Sequence, residues 1–272
     1  MKQGYVYAAF GTKYIDEAKV SAKSLRAVEP SAHITLFTDN QLSIEGFDHI
    51  REIELPTNSG ERNEFGYLKD GFSLKIAALC ESPYNKTCFV DTDTFFLDSC
   101  SELFDYLDHY DILAAQDPSD DSQIEIEGKV YANYFAYNTG VICYNQNEKV
   151  QSFLRSWMRS WQENIGYFLT DQTAFMYSLI NSQIKMYALS PLYNFRFQFF
   201  VSVKGRVKVL HGRHTNLELL GKKINEYVGQ RTWDYQLEEL IHNNKPRGWK
   251  AKLIAILPKS LYAKYRSLMN KD

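Results

Sequence analysis

Cys88-Phe89-Val90-Asp91-Thr92-Asp93-Thr94-Phe95-Phe96-Leu97-Asp98 is the run from which the rest of the chain can be read. Lys86–Val90 is β-prone throughout and ends on two carboxylates placed two residues apart. Sheets of the α/β kind bind ligands at the C-terminal edge of their strands. Along a strict strand, side chains two apart point the same way, so Asp91 and Asp93 would share one face. Two hard oxygen ligands on one side suit Mg²⁺ or Mn²⁺ and leave coordination positions for phosphate oxygens. Solvated turn aspartates are the plainer alternative. Paired carboxylates directly behind an uncharged strand are costly unless used, which favours the metal.

Outward from this run, strand and helix patterns alternate, the sign of an α/β layer architecture. Residues 4–10 read as a first strand, 11–13 as a turn and 15–27 as a helix with Ala18, Ala22 and Leu25 on one face. Strands follow at 32–37 and 50–55, then a helix at 72–80. Beyond the aspartates come a short helix at 101–107 and strands at 111–115 and Tyr137–Asn145. The clearest amphipathic helix spans 148–161, with Val150, Phe153, Leu154, Trp157 and Trp161 on one stripe. Asp171–Ile180 is a further helix, and 201–203 with 207–210 reads as a hairpin turning through Lys204-Gly205-Arg206.

Two segments change character. In 117–130, Asp117, Asp120, Asp121, Glu125 and Glu127 face only Lys129, which reads as a solvated loop. After about residue 216 the pattern is helical, giving domains at 1–215 and 216–272. From Lys245 on, eight basic residues face Asp272 alone and interleave with Trp249, Leu253, Ile254, Ile256, Leu257, Leu261 and Tyr262. That composition fits an interfacial membrane anchor or a helix docked on the body, and amphipathicity does not choose between them.

Composition bounds the function. The 272 residues, 44% hydrophobic and 24% charged, describe a soluble globular chain with a substantial core. A net charge of −2 supplies no basic field, which disfavours nucleic acid. Cys80, Cys88, Cys100 and Cys143 lack ligand-like spacing, and Cys88 and Cys143 sit in apolar strand runs as buried reduced thiols. With neither an apolar leader nor a spanning run in view, the expected location is cytoplasmic, with possible peripheral contact at the inner face of the membrane.

The order Lys75, Asp91-Thr92-Asp93, Asn138-Thr139-Gly140-Val141, Asp171-Gln172, Leu189-Ser190-Pro191-Leu192-Tyr193-Asn194 and His211 resembles the glycogenin-like family-eight glycosyltransferases and their GT-A relatives, over about residues 4–214. The resemblance implies a mainly parallel Rossmann-like sheet, a nucleotide-sugar donor (usually a uridine diphosphate sugar), Mn²⁺ or Mg²⁺, a glycan or lipid-linked acceptor, and transfer with retention. It makes Asp91, Asp93 and His211 the metal ligands. It gives Lys75 and Thr92 to the donor, stacks Tyr14 on the base, and sets the backbone of Phe10, Gly11 and Thr12 against the nucleotide. Asn138, Thr139 and Gly140 would meet the donor, and Asp171 with Gln172 the reacting face of the sugar. Each has a plainer alternative: an edge histidine at 211, a solvated lysine at 75, an N-cap at Asp171. The family's Lys-Pro-Trp sequel to the histidine is missing, and Arg213 or His214 stands where its phosphate clamp would be.

Competing classes fit less well. Haloacid-dehalogenase phosphatases resemble Asp-x-Asp with a hydroxyl or Val four residues after the first Asp, where this chain has Phe95. A sugar-nucleotide pyrophosphorylase needs a Gly-rich, Arg-bearing loop that Phe10-Gly11-Thr12-Lys13-Tyr14 is not. A calcium loop lacks its Gly and distal Glu. A silent sugar- or nucleotide-binding module on the same scaffold stays open.

Overall fold

The computed structural model describes residues 2–39, 44–53, 69–119, 123–126, 129–132, 136–165, 168 and 170–242. The chain opens with β1 (Gln3–Ala8), α1 (Gly11–Val28), β2 (Ile34–Thr38) and β3 (His49–Glu52). After α2 (Lys69–Cys80) come β4 (Lys86–Val90), β5 (Thr94–Phe96), α3 (Leu103–Tyr106) and β6 (Ile112–Gln116). A hairpin of β7 (Gln123–Ile126) and β8 (Lys129–Ala132) leads to β9 (Tyr137–Asn145), α4 (Glu148–Glu163) and α5 (Asp171–Ile180). The rest is β10 (Met186–Leu189), β11 (Phe195–Arg196), β12 (Val201–Val203), β13 (Val209–His211), α6 (Leu217–Ile224), β14 (Arg231–Asp234) and β15 (Glu239–His242).

Seven strands form the main sheet in the order β10-β6-β9-β4-β1-β2-β3, parallel except for β9, which runs against both its neighbours. β2 lies on one side of β1 and β4 on the other, so the strand order reverses at β1 and opens a crevice at its C-terminal end. Side-chain alternation divides two cores cleanly. Tyr5, Tyr7, Cys88, Val90, Leu113, Val141 and Cys143 face α1 and α3, while Val6, Phe89, Ile112, Ala114, Ile142 and Tyr144 face α2, α4 and α5. Both faces are covered, which is why these strands read as nearly continuous apolar runs.

α4 stitches the second layer together. Asn147 caps it by accepting from Val150 N at 2.9 Å, and its stripe of Val150, Phe153, Leu154, Trp157 and Trp161 is buried. The two indoles also donate, Trp157 Nε1 to Asp171 O at 2.9 Å and Trp161 Nε1 to Ser73 Oγ at 3.0 Å. A buried indole N–H needs such a partner. One helix thus grips both α5 and α2.

Several expectations change. Helix α1 already starts at Gly11, with Phe10 as N-cap, so 11–13 is its first turn. The hairpin of 201–203 with 207–210 does not form: β12 pairs with β14, and β13 with β5 and β11. β14 and β5 are remote in sequence, and local turn chemistry carries no trace of them. Residues 216–242 hold one helix and two strands rather than helices alone. Leu220, Ile224 and Trp233 share a core with Phe195, Phe197 and Leu210, so no break falls at 215 within the described residues. The acidic 117–130 segment holds the β7–β8 hairpin, and Asp117 is buried, not solvated. The basic tail from 245 lies outside the described residues. Among the described residues no helix is long and apolar enough to cross a membrane.

Candidate active site

Strand β4 stops at Val90, so Asp91 and Asp93 occupy a turn and not a strict strand. Their common orientation comes from the ladder beyond. β5 runs antiparallel to β13 with Thr94 opposite His211, and Gly212 N donates to Asp93 O at 2.8 Å. That register sets the imidazole against both carboxylates: Nε2 lies 3.4 Å from Asp93 Oδ1 and 3.8 Å from Asp91 Oδ2. One ligand atom from each of the three residues falls within 4.8 Å of the others. On the far side, Asp91 N donates to Gly140 O at 2.7 Å. A Cβ at position 140 would overlap His211 Cε1 and stand 2.8 Å from Asp91 Oδ2, so only glycine admits this approach. Gly212, at φ +134°, is the second obligatory glycine, since a side chain there is strained and collides with Gln198.

The outer carboxylate oxygens carry organic cations. Lys75 Nζ lies 3.2 Å from Asp91 Oδ1, and Arg213 Nη1 lies 3.3 Å from Asp93 Oδ2. Asp91 Oδ2, itself 3.5 Å from Lys75 Nζ, faces Asp93 Oδ1 and His211 Nε2 around a common point. This O, O, N set, with a glycine floor, fits a divalent cation. Burial works against Asp93 ionising, yet His211, Arg213 and Arg196 outweigh it and hold the carboxyl far below the usual carboxylate range.

Lys75, projecting from α2, is not a solvated helix lysine. It also contacts Asp171 Oδ2 at 3.2 Å and donates to Thr139 Oγ1 at 3.0 Å, while Thr139 donates to Asp171 Oδ2 at 2.9 Å. Burial works against the charged ammonium, but Asp171 and Asp91 prevail and raise its pKa above the ordinary lysine value. Asp171 moves up as well: burial is the largest cause, opposed by Lys75 and reinforced by Asp91. Asp171 does not cap α5. Thr170 is the N-cap, no side chain caps the helix, and the Asp171 carboxylate is turned to Lys75 and Thr139.

Around the cluster, Asn138 Nδ2 donates to Gln172 Oε1 at 3.2 Å and to Asp117 Oδ2 at 2.6 Å. A cleft of about 430 Å³ opens beside Asp93, lined by Glu17, Thr92, Gly212, Arg213 and His214 among others. Thr92 Oγ1 donates to Glu17 Oε2 at 3.1 Å, and Arg213 grips the same carboxylate with Nε at 2.7 Å and Nη2 at 2.9 Å. The guanidinium lies 5.9 Å from the Tyr14 ring centre. Phe10, Gly11 and Thr12 stand at the start of α1, at the end of β1 where the crevice opens.

Four residues of this surround were given no role by the sequence reading. Asn194 stood in a quoted motif, Asp117 was read as solvent-exposed, and Glu17 and Arg196 carried no local signal. Arg196 Nη1 pairs with Asp117 Oδ2 at 3.3 Å, and its Nε is buried without a hydrogen-bond partner.

A mainly parallel sheet bearing an Asp-x-Asp turn and a histidine at its switch point is the GT-A architecture, and solved structures agree. The galactosyltransferase LgtC, solved with donor and acceptor sugar analogs, matches at TM-score 0.53 and 16% identity over 92% of this chain and 99% of that one. GlyE, a glycosyltransferase of Streptococcus pneumoniae TIGR4, matches at TM-score 0.53 and 14% identity over 87% of this chain and 60% of GlyE. Mouse xyloside xylosyltransferase 1 matches at TM-score 0.50 and 15% identity, over 78% and 98%. A comparison with curated proteins by sequence finds no match. The fold defines a glycosyltransferase of the GT-A class. More specifically, the chain belongs to the nucleotide-diphospho-sugar transferase family, whose model matches residues 84–224.

Proposed function

We propose that this chain is a divalent-cation-dependent hexosyltransferase that uses a uridine diphosphate sugar, transfers with retention, and acts on a glycan or lipid-linked acceptor. The observation that carries this reading is the gap bounded by Asp91 Oδ2, Asp93 Oδ1 and His211 Nε2. Mn²⁺ or Mg²⁺ held there would neutralise the diphosphate as it leaves.

The remaining work falls to the side chains. Tyr14 and the start of α1 receive the nucleotide, and Thr92 lies on the wall of the same cleft. Arg213, anchored by Glu17, supplies the phosphate contact given elsewhere in the family by lysine, with His214 beside it. Asn138, Thr139 and Gly140 border the sugar. Asp171 and Gln172 orient its reacting face, with Lys75 paired to Asp171. Because the acceptor hydroxyl attacks from the leaving-group side in this reading, its proton passes to the departing phosphate, and no protein base is required. Residues 245–272 serve as a contact to anionic lipid at the cytoplasmic face, and vesicle pelleting unchanged by their deletion would rule that out.

Donor hydrolysis is the direct test. Uridine diphosphate sugars with Mn²⁺ should be turned over slowly, and EDTA should abolish the turnover. Cation-independent hydrolysis, or binding without any turnover, would refute the proposal, the latter in favour of a silent binding module.

A further inference from the structure

A histidine can present a bare nitrogen to a cation only if its other nitrogen holds the proton. Which nitrogen holds it at His211 follows from a chain of buried hydrogen bonds whose direction is forced at one end. Asp117 is an ionised carboxylate, held so against its burial by Arg196, Asn138 and Ser119. It can only accept, so the amide of Asn138 must face it with Nδ2, at 2.6 Å. The opposite end of that amide agrees: Asn138 Oδ1 accepts from Gly140 N at 2.9 Å, and a backbone N–H can only donate. The same Oδ1 therefore takes a second hydrogen from Asn194 Nδ2, at 2.8 Å. This leaves Asn194 Oδ1, a pure acceptor, 2.8 Å from His211 Nδ1. Asp117, Asn138, Asn194 and His211 are all buried, so water cannot stand in for a wrongly turned amide.

We propose that Asn194, oriented by Asn138 and Asp117, is a positioning residue that holds His211 as the Nδ1–H tautomer and so delivers its bare Nε2 to the cation site. Each bond in the relay has one permitted direction, and reversing any amide sets donor against donor or acceptor against acceptor. Without the relay the ring is free to put its proton on Nε2, between Asp91 and Asp93, where it opposes the cation. The inference rests on the metal reading above. It adds a residue from the β10–β11 connection, outside the ligand set, as a determinant of cation affinity.

Long-range proton–nitrogen NMR of the full-length protein without metal tests it, at a pH well above the ordinary imidazole value of about 6.5. His211, assigned by its loss in His211→Gln, should give the Nδ1–H pattern in the wild type. In Asn194→Leu that pattern should give way to Nε2–H, and Mn²⁺ affinity by paramagnetic resonance should fall about 10- to 100-fold. Asn194→Asp keeps an acceptor toward Nδ1 but loses the donation to Asn138 Oδ1, so the Nδ1–H pattern should persist with a smaller loss of affinity than in Asn194→Leu. An Nε2–H pattern in a wild type that binds Mn²⁺ overturns the relay and leaves the metal reading intact. A wild type that binds no Mn²⁺ overturns the metal reading and the proposal with it. Unchanged affinity in folded Asn194→Leu also overturns the relay. The wild-type spectrum decides even if that variant fails to fold.

Discussion

At the level of single residues, two substitutions separate chemistry from stability. Asp93→Ala removes a ligand, but Arg213 keeps its bidentate hold on Glu17 and the β5–β13 ladder is untouched. Mn²⁺ affinity and donor hydrolysis should therefore collapse, by at least about 100-fold in rate, with the fold retained but the melting temperature lowered by loss of the Asp93 pairing to Arg213 and His211; turnover persisting at saturating Mn²⁺ would contradict this. Lys75→Met should cost more in stability. It leaves Asp91 and the fully buried Asp171 without their shared cation, and breaking a buried pair in this way costs about 3–5 kcal/mol. Urea denaturation should register that loss with or without Mn²⁺. Asp91 and Asp93 were legible in the sequence because they follow an apolar strand run, and His211 because it closes one. Asp117 was not, since its meaning depends on Arg196, 79 residues away.

Among the elements, strands β4 and β9 bring Cys88 opposite Cys143. Asp91 N bonds to Gly140 O directly across the ladder, and Gln146 N to Asn85 O. Bonded pairs alternate, so the cysteines occupy a non-bonded pair, where Cα atoms approach to about 4.5 Å and side chains are closest. Their sulfurs are 2.6 Å apart as free thiols. That spacing lies within disulfide reach without backbone movement. Mild diamide treatment in low urea should join them, two thiol protons and two electrons passing to the reagent, and peptide mapping should find Cys88 linked to Cys143 with Cys80 and Cys100 alkylated. A map with all four alkylated would count against this pairing geometry. The elements also mark where pattern reading stops. α4 was plain from its own stripe, and β4 from its apolar run. β12 and β13 were mistaken for a hairpin because Lys204-Gly205-Arg206 looks like a turn, whereas the hydrogen bonds go to β14 and β5.

Across the whole molecule, the acid limb of stability should be steep. Asp48, Asp93, Glu102, Asp111 and Asp117 all sit below their ordinary pKa values in the folded state, each against the pull of burial and through a cationic or hydrogen-bonding partner. A depressed carboxylate contributes stability that is complete above its unfolded value, about 3.9 for Asp and 4.3 for Glu, and is lost as pH falls through the folded one. Asp171, shifted upward, works in the opposite sense and is relieved by acid. Unfolding free energy should stay nearly level from about pH 7 to 5 and drop below about pH 4. Asp117→Asn should flatten part of that drop, and a variant as acid-sensitive as wild type would contradict the assignment. The main sheet was readable from nearly continuous apolar runs alternating with helical patterns. The late strands were not, because β10, β12 and β13 find partners distant in sequence in β6, β14 and β5.

The histidine at the end of β13 arrives more than a hundred residues after the aspartates it faces. During synthesis the carboxylate turn therefore emerges long before the strand that completes it, and the three side chains meet only once a loop of more than a hundred residues has closed. Under the proposed cation binding, uptake by all three ligands would report closure of the β5–β13 ladder and would be missing from any chain cut short of His211.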